Sequence, residues 1–409
     1  MAKKEKTPLS KSNGWTSVFN LVGEVRLNDY TFKLDEKSEK SDWVYNSLNL
    51  GVNCGEKYGT VFAELMGGYG SERQNVVYVH GKDENGRDDF QNSYSIDWDD
   101  RFTESILEDV GDLCFLTIGL EKDSKDKTFY KKFLTPYDFI AYAEEHLEDG
   151  MVVNVRGQLK YTVYNGNIQC RKEINSIALS SATPDKYRAT FTQTMLLDRD
   201  SVTKDSIDND KGVINVDAYV LEKFKEYNGW DLTDGGKVKG GIFVPLHKNF
   251  EYEINPEKPE LTTAVINKLF KVKKGVTQIS WEGEFVESGA TVTATEDDLT
   301  DDIRELISLG LYTLEEALAK CTVGGSKERR MILKKPAIKM VGDDENKIPQ
   351  IQRFEEAFTE EDMQLECLTP RETDDDEEDT DEVPFKEEVA EETTVDEDEE
   401  LASLLAALD

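Results

Sequence analysis

The sequence predicts a mostly β chain of α+β class: two small barrels in tandem, a helical insertion in the second, and a disordered acidic C-terminal tail. Three observations carry this expectation. In Glu148 to Leu179, Val153, Val155, Leu159, Tyr161 and Val163 alternate with Asn154, Arg156, Gln158, Lys160 and Thr162, the period-2 pattern of a strand with one buried face. Asn165-Gly166 then supplies the positive φ angles of a two-residue hairpin turn. Second, Ile279-Ser280-Trp281-Glu282-Gly283-Glu284-Phe285 repeats the apolar and glycine spacing of Val153 to Leu159, each copy following a helical pattern that opens at a proline. Third, Glu372 to Glu400 holds eighteen Asp or Glu against Lys386 alone, too charged to bury a core.

The elements follow in order. A disordered basic start (1–14, with Lys3, Lys4, Lys6 and Lys11) leads into one long strand, Val18 to Leu34, with a bend at Gly23. Trp43 to Asn53 and Thr60 to Gly67 are the next strands, and Gly67-Gly68-Tyr69-Gly70 reads as a plain loop. Asn75 to Trp98 is a protruding hairpin, and residues 114–120 and 128–135 are two more strands. Pro136 to Gly150 is a helix with Phe139, Ile140, Ala143 and Leu147 on one face. The hairpin then fixes a register: Tyr164 faces Asn167, Val163 faces Ile168, Tyr161 faces Cys170 and Lys160 faces Arg171. Three strands, a helix and two strands is the order of an OB-fold barrel, expected over residues 15–184. It restarts over 185–345 with strands at 187–197, 212–224 and 240–254, a helix at 259–272, a strand at 275–292, helices within 297–323 and a last strand, Met331 to Gly342. Residues 346–409 are linker and tail.

Charge and composition exclude much. The net charge of −36 argues against a uniformly basic nucleic-acid binder, so any such role must rest on local patches. No apolar run is long enough to span a membrane, and the start lacks the core of a signal peptide, so a soluble chain in the bacterial cytoplasm with five reduced cysteines is expected. Three scattered histidines, no paired CxxC and no P-loop or EF-hand spacing point to a non-catalytic chain without metal or other cofactors. Asp97, Asp99 and Asp100 are the sole metal candidate, and would make the chain a metal-dependent nuclease.

What is abundant is aromatic residues among basic ones on strands. Single-stranded nucleic acid is held this way, bases on rings and phosphates on Lys and Arg. The residues expected to bind are Trp43, Arg156, Lys160, Tyr164, Arg171, Lys223, Trp230, Lys273, Lys274, Arg329 and Arg330, with Trp43, Tyr164 and Trp230 as exposed stackers. Like charges directly opposite in a ladder cost stability, so Lys160 and Arg171, with Arg156 nearby, form a candidate phosphate seat, the alternative being an ordinary solvated face.

The tail narrows the choice. DDDEEDTDEVPF resembles the acidic Pro-Phe tip of bacterial single-stranded DNA-binding proteins, and DEDEELASLLAALD is similar to the acidic-leucine end of phage helix-destabilising proteins. The resemblance implies a tandem OB-fold, single-stranded DNA-binding protein of a phage replication system, in the infected bacterial host cell. In those families the tail recruits replication partners, here through Leu401, Leu404, Leu405 and Leu408, and competes with DNA for the basic groove. The zinc site of the phage type has no ligand spacing in this sequence. The second reading is a β-rich structural or scaffolding phage protein without nucleic-acid function.

Overall fold

The computed structural model describes residues 8–371 except 12–13, 165, 210, 239, 256, 293–298, most of 301–322, and 343–346. The helical insertion expected within 297–323 and the acidic tail therefore lie almost wholly outside the described residues.

The first ring is built from β1 (Ser17–Arg26), β2 (Phe32–Lys37), β3 (Trp43–Asn53), β4 (Thr60–Gly70), the hairpin strands β5 (Val76–Lys82) and β6 (Asp88–Asp97), the pair β7 (Leu116–Lys122) and β8 (Thr128–Phe133), helix α1 (Pro136–His146), β9 (Val152–Tyr164) and β10 (Asn167–Leu179). β1 pairs with β3, β3 with β4, β4 in parallel with β10 at Glu64 and Glu173, β10 with β9, and β9 with β1. That closed path is the strand order of an OB-fold. Alternation puts Val44, Asn46, Leu48, Leu50 and Val52 inside β3, and Thr135 caps α1 by accepting from the Asp138 N–H, which seats Phe139, Ile140 and Ala143 on the barrel.

The pattern restarts with β11 (Arg188–Leu197), β12 (Val213–Phe224), β13 (Ile242–Glu253), helix α2 (Pro259–Val265), β14 (Val276–Val292) and β15 (Val323–Pro336). β11 pairs with β12, β12 with β13, β13 in parallel with β15, β15 with β14, and β14 with β11, so a second ring closes in the same order. Because β1 also pairs with β11, both rings belong to one continuous sheet. The described chain continues with β16 (Ile338–Val341) and, inside the stretch expected as linker, with β17 (Ile348–Ile351) and β18 (Arg353–Phe358), the last returning to pair with β14.

The register of the β9–β10 hairpin is the expected one at all four pairs, with a bulge between Ile174 and Ser176. Three expectations are corrected. The strand foreseen from Val18 to Leu34 breaks after Arg26, where Thr31 donates to the Asn28 carbonyl and β2 returns along β3, because Asn28 and Asp29 favour a turn. The glycine run at 67–70 is strand, not loop: a side chain on Gly68 would strike the Val44 carbonyl at 2.0 Å, so glycine lets β4 pass close to β3. The last strand starts earlier, at Val323, and stops at Pro336, which has no N–H to continue the ladder. Beyond the expectations, Leu9, within the stretch expected to be disordered, is buried with Leu196, Leu221 and Phe358.

Candidate nucleic-acid interface

The outer face of the first barrel carries the aromatic part of the site. β3 turns Trp43 and Tyr45 outward, where they stack with ring centroids 4.8 Å apart at 20°. Across the ladder they face Gly70 and Gly68, so β4 puts no side chain beside the rings, but Trp43, expected as an exposed stacker, is half-buried, as is Tyr45. Lys33 lies opposite Ser47 on the same face, and Arg73 reaches Asp42 at 3.6 Å beside Gly70. Glu36 stands opposite Tyr45; burial first and then this carboxylate push the Tyr45 phenol above its ordinary value. Chemically this is a half-buried aromatic pair in mixed charge, with the Arg73 and Asp42 side chains filling the space over Gly70.

The basic part lies farther along the same barrel. Arg171 sits opposite Lys160, as the turn requires, and Arg156 is exposed opposite Asn20. Tyr45 is level with Gly68, and Arg171, two residues before the partner of Glu64, with Phe62; six residues of strand separate the two parts, roughly 20 Å. The Arg171 guanidinium is held by the Glu64 carboxylate from β4. The like charges are therefore relieved from within the protein. Lys160 has a second cation beside it, Lys11, whose ammonium is depressed by burial first, is favoured by Glu222 at 3.5 Å, and feels Lys160. Tyr164 is 45% exposed at the end of β9.

The second barrel offers less. Lys223 is exposed, its Nζ 5.7 Å from the Phe243 ring. Trp230, expected as an exposed stacker, is instead half-buried and packs against the core opposite Tyr227, because the two-residue ladder at 226–231 folds it inward. Lys273 is exposed and Lys274 pairs with Glu356 at 2.7 Å. Arg330 donates to Glu251 at 2.6 Å, Lys334 reaches Glu253 and, at 3.4 Å, Glu284, and Lys335 reaches Glu282 at 3.1 Å; Arg329 is exposed opposite Glu287. The basic strand β15 is thus laddered to acidic neighbours. Leu401, Leu404, Leu405 and Leu408 lie outside the described residues.

Sequence reading missed Glu64, whose role depends on a parallel strand contact, and the pair Phe129 and Tyr130, 51% and 54% exposed. The run Phe129-Tyr130-Lys131-Lys132 was the available signal for the second.

Other chemistry is thin. His80 Nε2 lies 2.8 Å from Asp88, and the Cys114 sulfur is 3.3 Å from Nδ1 but also 3.8 Å from Nε2. Nearness to both nitrogens puts the sulfur over the ring face, where it cannot pass a proton along the ring plane. Among the described residues no three His, Cys, Asp or Glu side chains converge on a metal position, Asp97, Asp99 and Asp100 included. No described helix is long and apolar enough to cross a membrane.

Fold and surface together define a β-barrel protein of OB type with an aromatic outer face. No family model and no curated protein matches the chain. Among solved structures it is similar to a deletion mutant of the single-stranded DNA-binding protein from Thermus aquaticus, at 12% identity and a TM-score of 0.27, over 67% of this chain and 88% of that one.

Proposed function

We propose that the chain is a non-catalytic protein that binds single-stranded DNA without sequence specificity, along the outer face of its first barrel. The observation that carries this is the stacked, half-buried Trp43–Tyr45 pair facing Gly70 and Gly68, on the sheet face by which OB barrels take oligonucleotides. Rings stack on any base, which gives affinity without sequence readout, while Lys33, Lys160 and Arg171 supply cations on the same barrel. In this reading the first barrel is the main contact, because β15 of the second is already paired with acids.

The wider role we assign is protection of single strands during phage replication, repair or recombination in a bacterial host, with the tail recruiting replication proteins through Leu401, Leu404, Leu405 and Leu408. The tail's composition supports this.

The test is titration of oligo(dT) and of duplex, followed by tryptophan fluorescence and anisotropy. Single strand should quench fluorescence and bind more tightly than duplex, with affinity falling as salt rises. Trp43→Ala and Tyr45→Ala should each weaken binding by about 1–3 kcal/mol. Absence of binding at low salt would leave the structural-protein reading.

A further inference from the structure

Hairpin β7–β8 combines exposed rings with a local excess of cations. Residues 116–133 hold five lysines against three acids, a net charge of +2 in a chain of −36. Lys122, Lys131 and Lys132 engage Asp126, Glu121 and Asp112 at 2.8, 3.2 and 2.9 Å. Lys125 and Lys127, at the tip, are exposed and make no ion pair among the described residues. Tyr130 lies over Gly119, where an added Cβ would come within 2.9 Å of its ring; one ring face is supported by backbone while more than half of the side chain meets solvent. Phe129, the residue before it in β8, is similarly exposed on the opposite face of the hairpin.

Placement makes this more than a surface oddity. β7 is bonded in parallel to β10 at Ser176–Ala178, the strand that carries Arg171, so the hairpin is anchored to the barrel that presents the proposed site. The preceding segment, 71–115, has twelve acids against four Lys or Arg, a net charge of −8, and repels phosphate. A strand bound on the first barrel is therefore steered away from that segment and toward β7–β8.

We propose that β7–β8 is a second contact for the single strand, bases stacking on Tyr130 and Phe129 and phosphates meeting Lys125 and Lys127. This rests on the reading that the chain binds single-stranded DNA. The experiment uses the full chain with fluorescent oligo(dT) of increasing length and with oligomers carrying 5-iodouracil for photocrosslinking. Phe129→Ser/Tyr130→Ser should weaken binding of long oligomers about tenfold and leave the shortest ones unaffected. Lys125→Glu/Lys127→Glu, at an exposed tip where folding is not at stake, should weaken long oligomers and flatten their salt dependence. Crosslinks should map to residues 128–133. Wild-type binding with unchanged affinity of both variants at every length, and no crosslink there, overturns the second contact while the first-barrel reading stands. Failure of the wild type to bind overturns both.

Discussion

Phe19 of β1 faces Phe191 of β11 at the seam between the two barrels, and each ring lies over a glycine of its own fourth strand, Gly157 and Gly283. The glycines of the repeated motif thus serve one purpose twice. A Cβ at 157 would sit 1.8 Å from the Glu173 carbonyl and 2.7 Å from the Phe19 ring; at 283 it would sit 2.2 Å from Phe191 and 2.5 Å from the Ile332 carbonyl.

Alanine at either glycine should therefore destabilise by about 1–3 kcal/mol or more, read as a lowered urea midpoint. Phe191→Leu should recover part of the loss in Gly283→Ala, where a side chain is the nearest obstacle. Phe19→Leu should recover little in Gly157→Ala, where the obstacle is backbone. Equal rescue at both sites would refute this account.

Lys172 lies on the inward side of β10 and reaches Glu287 of β14 at 2.8 Å, their side chains 10% and 9% exposed, with its Nζ 4.8 Å from the Phe285 ring. Removing one partner strands a charge, so Lys172→Met or Glu287→Gln should cost about 3–5 kcal/mol, whereas Lys172→Met/Glu287→Met should cost far less than the sum. A denaturation double-mutant cycle checks it, and additive losses would argue that the pair is not coupled.

Glu64 holds the guanidinium that a phosphate would need. Glu64→Gln should tighten oligo(dT) binding and steepen its salt dependence, while Lys160→Gln/Arg171→Gln should weaken binding and lower the salt slope by roughly one to two units. The like-charge clash alone would lead one to expect a stable or higher melting temperature in the double variant. The Glu64 pair reverses that expectation to a slight fall, since the carboxylate loses its partner.

Burial pushes the Cys54 thiol up to about 12 from an ordinary value near 9. The folded state thus holds this proton more tightly than the unfolded chain. Its stabilising effect is complete below pH 9 and is lost as pH rises toward 12, at up to about 1.4 kcal/mol per pH unit. Cys54→Ala should flatten the fall in stability between pH 9 and 12, and native Cys54 should resist thiol reagents at pH 8. An unchanged alkaline slope in the variant would count against this.

The tail carries about −17 between Glu372 and Glu400 and is tethered to a body with only local cations. Truncation after Arg371 should lower the Kd for oligo(dT), most at low salt, whereas removing Leu401 to Asp409 should leave it almost unchanged and abolish docking of a partner. Equal or weaker binding after the longer truncation would make the tail a solubilising extension only.

The sequence by itself determined the barrel order, the β9–β10 register and the helix at Pro136, because these rest on local periodicity, turn chemistry and caps that neighbouring residues specify. It also placed Lys160 opposite Arg171, since a two-residue turn leaves no other pairing. What it could not determine was anything set by strands distant in the chain. Glu64 is 107 residues from Arg171, and only the parallel closure of the ring brings the carboxylate to the guanidinium. Trp230 reads as an exposed ring because it sits at a turn or strand end outside the apolar register; whether such a ring faces water depends on the surface the turn lands on. The glycine run at 67–70, without P-loop residues, reads as a plain loop, its strand conformation being imposed by Tyr45 and Val44 across the ladder. Local chemistry chose the elements, and close packing between them chose which charges and rings remain for a ligand.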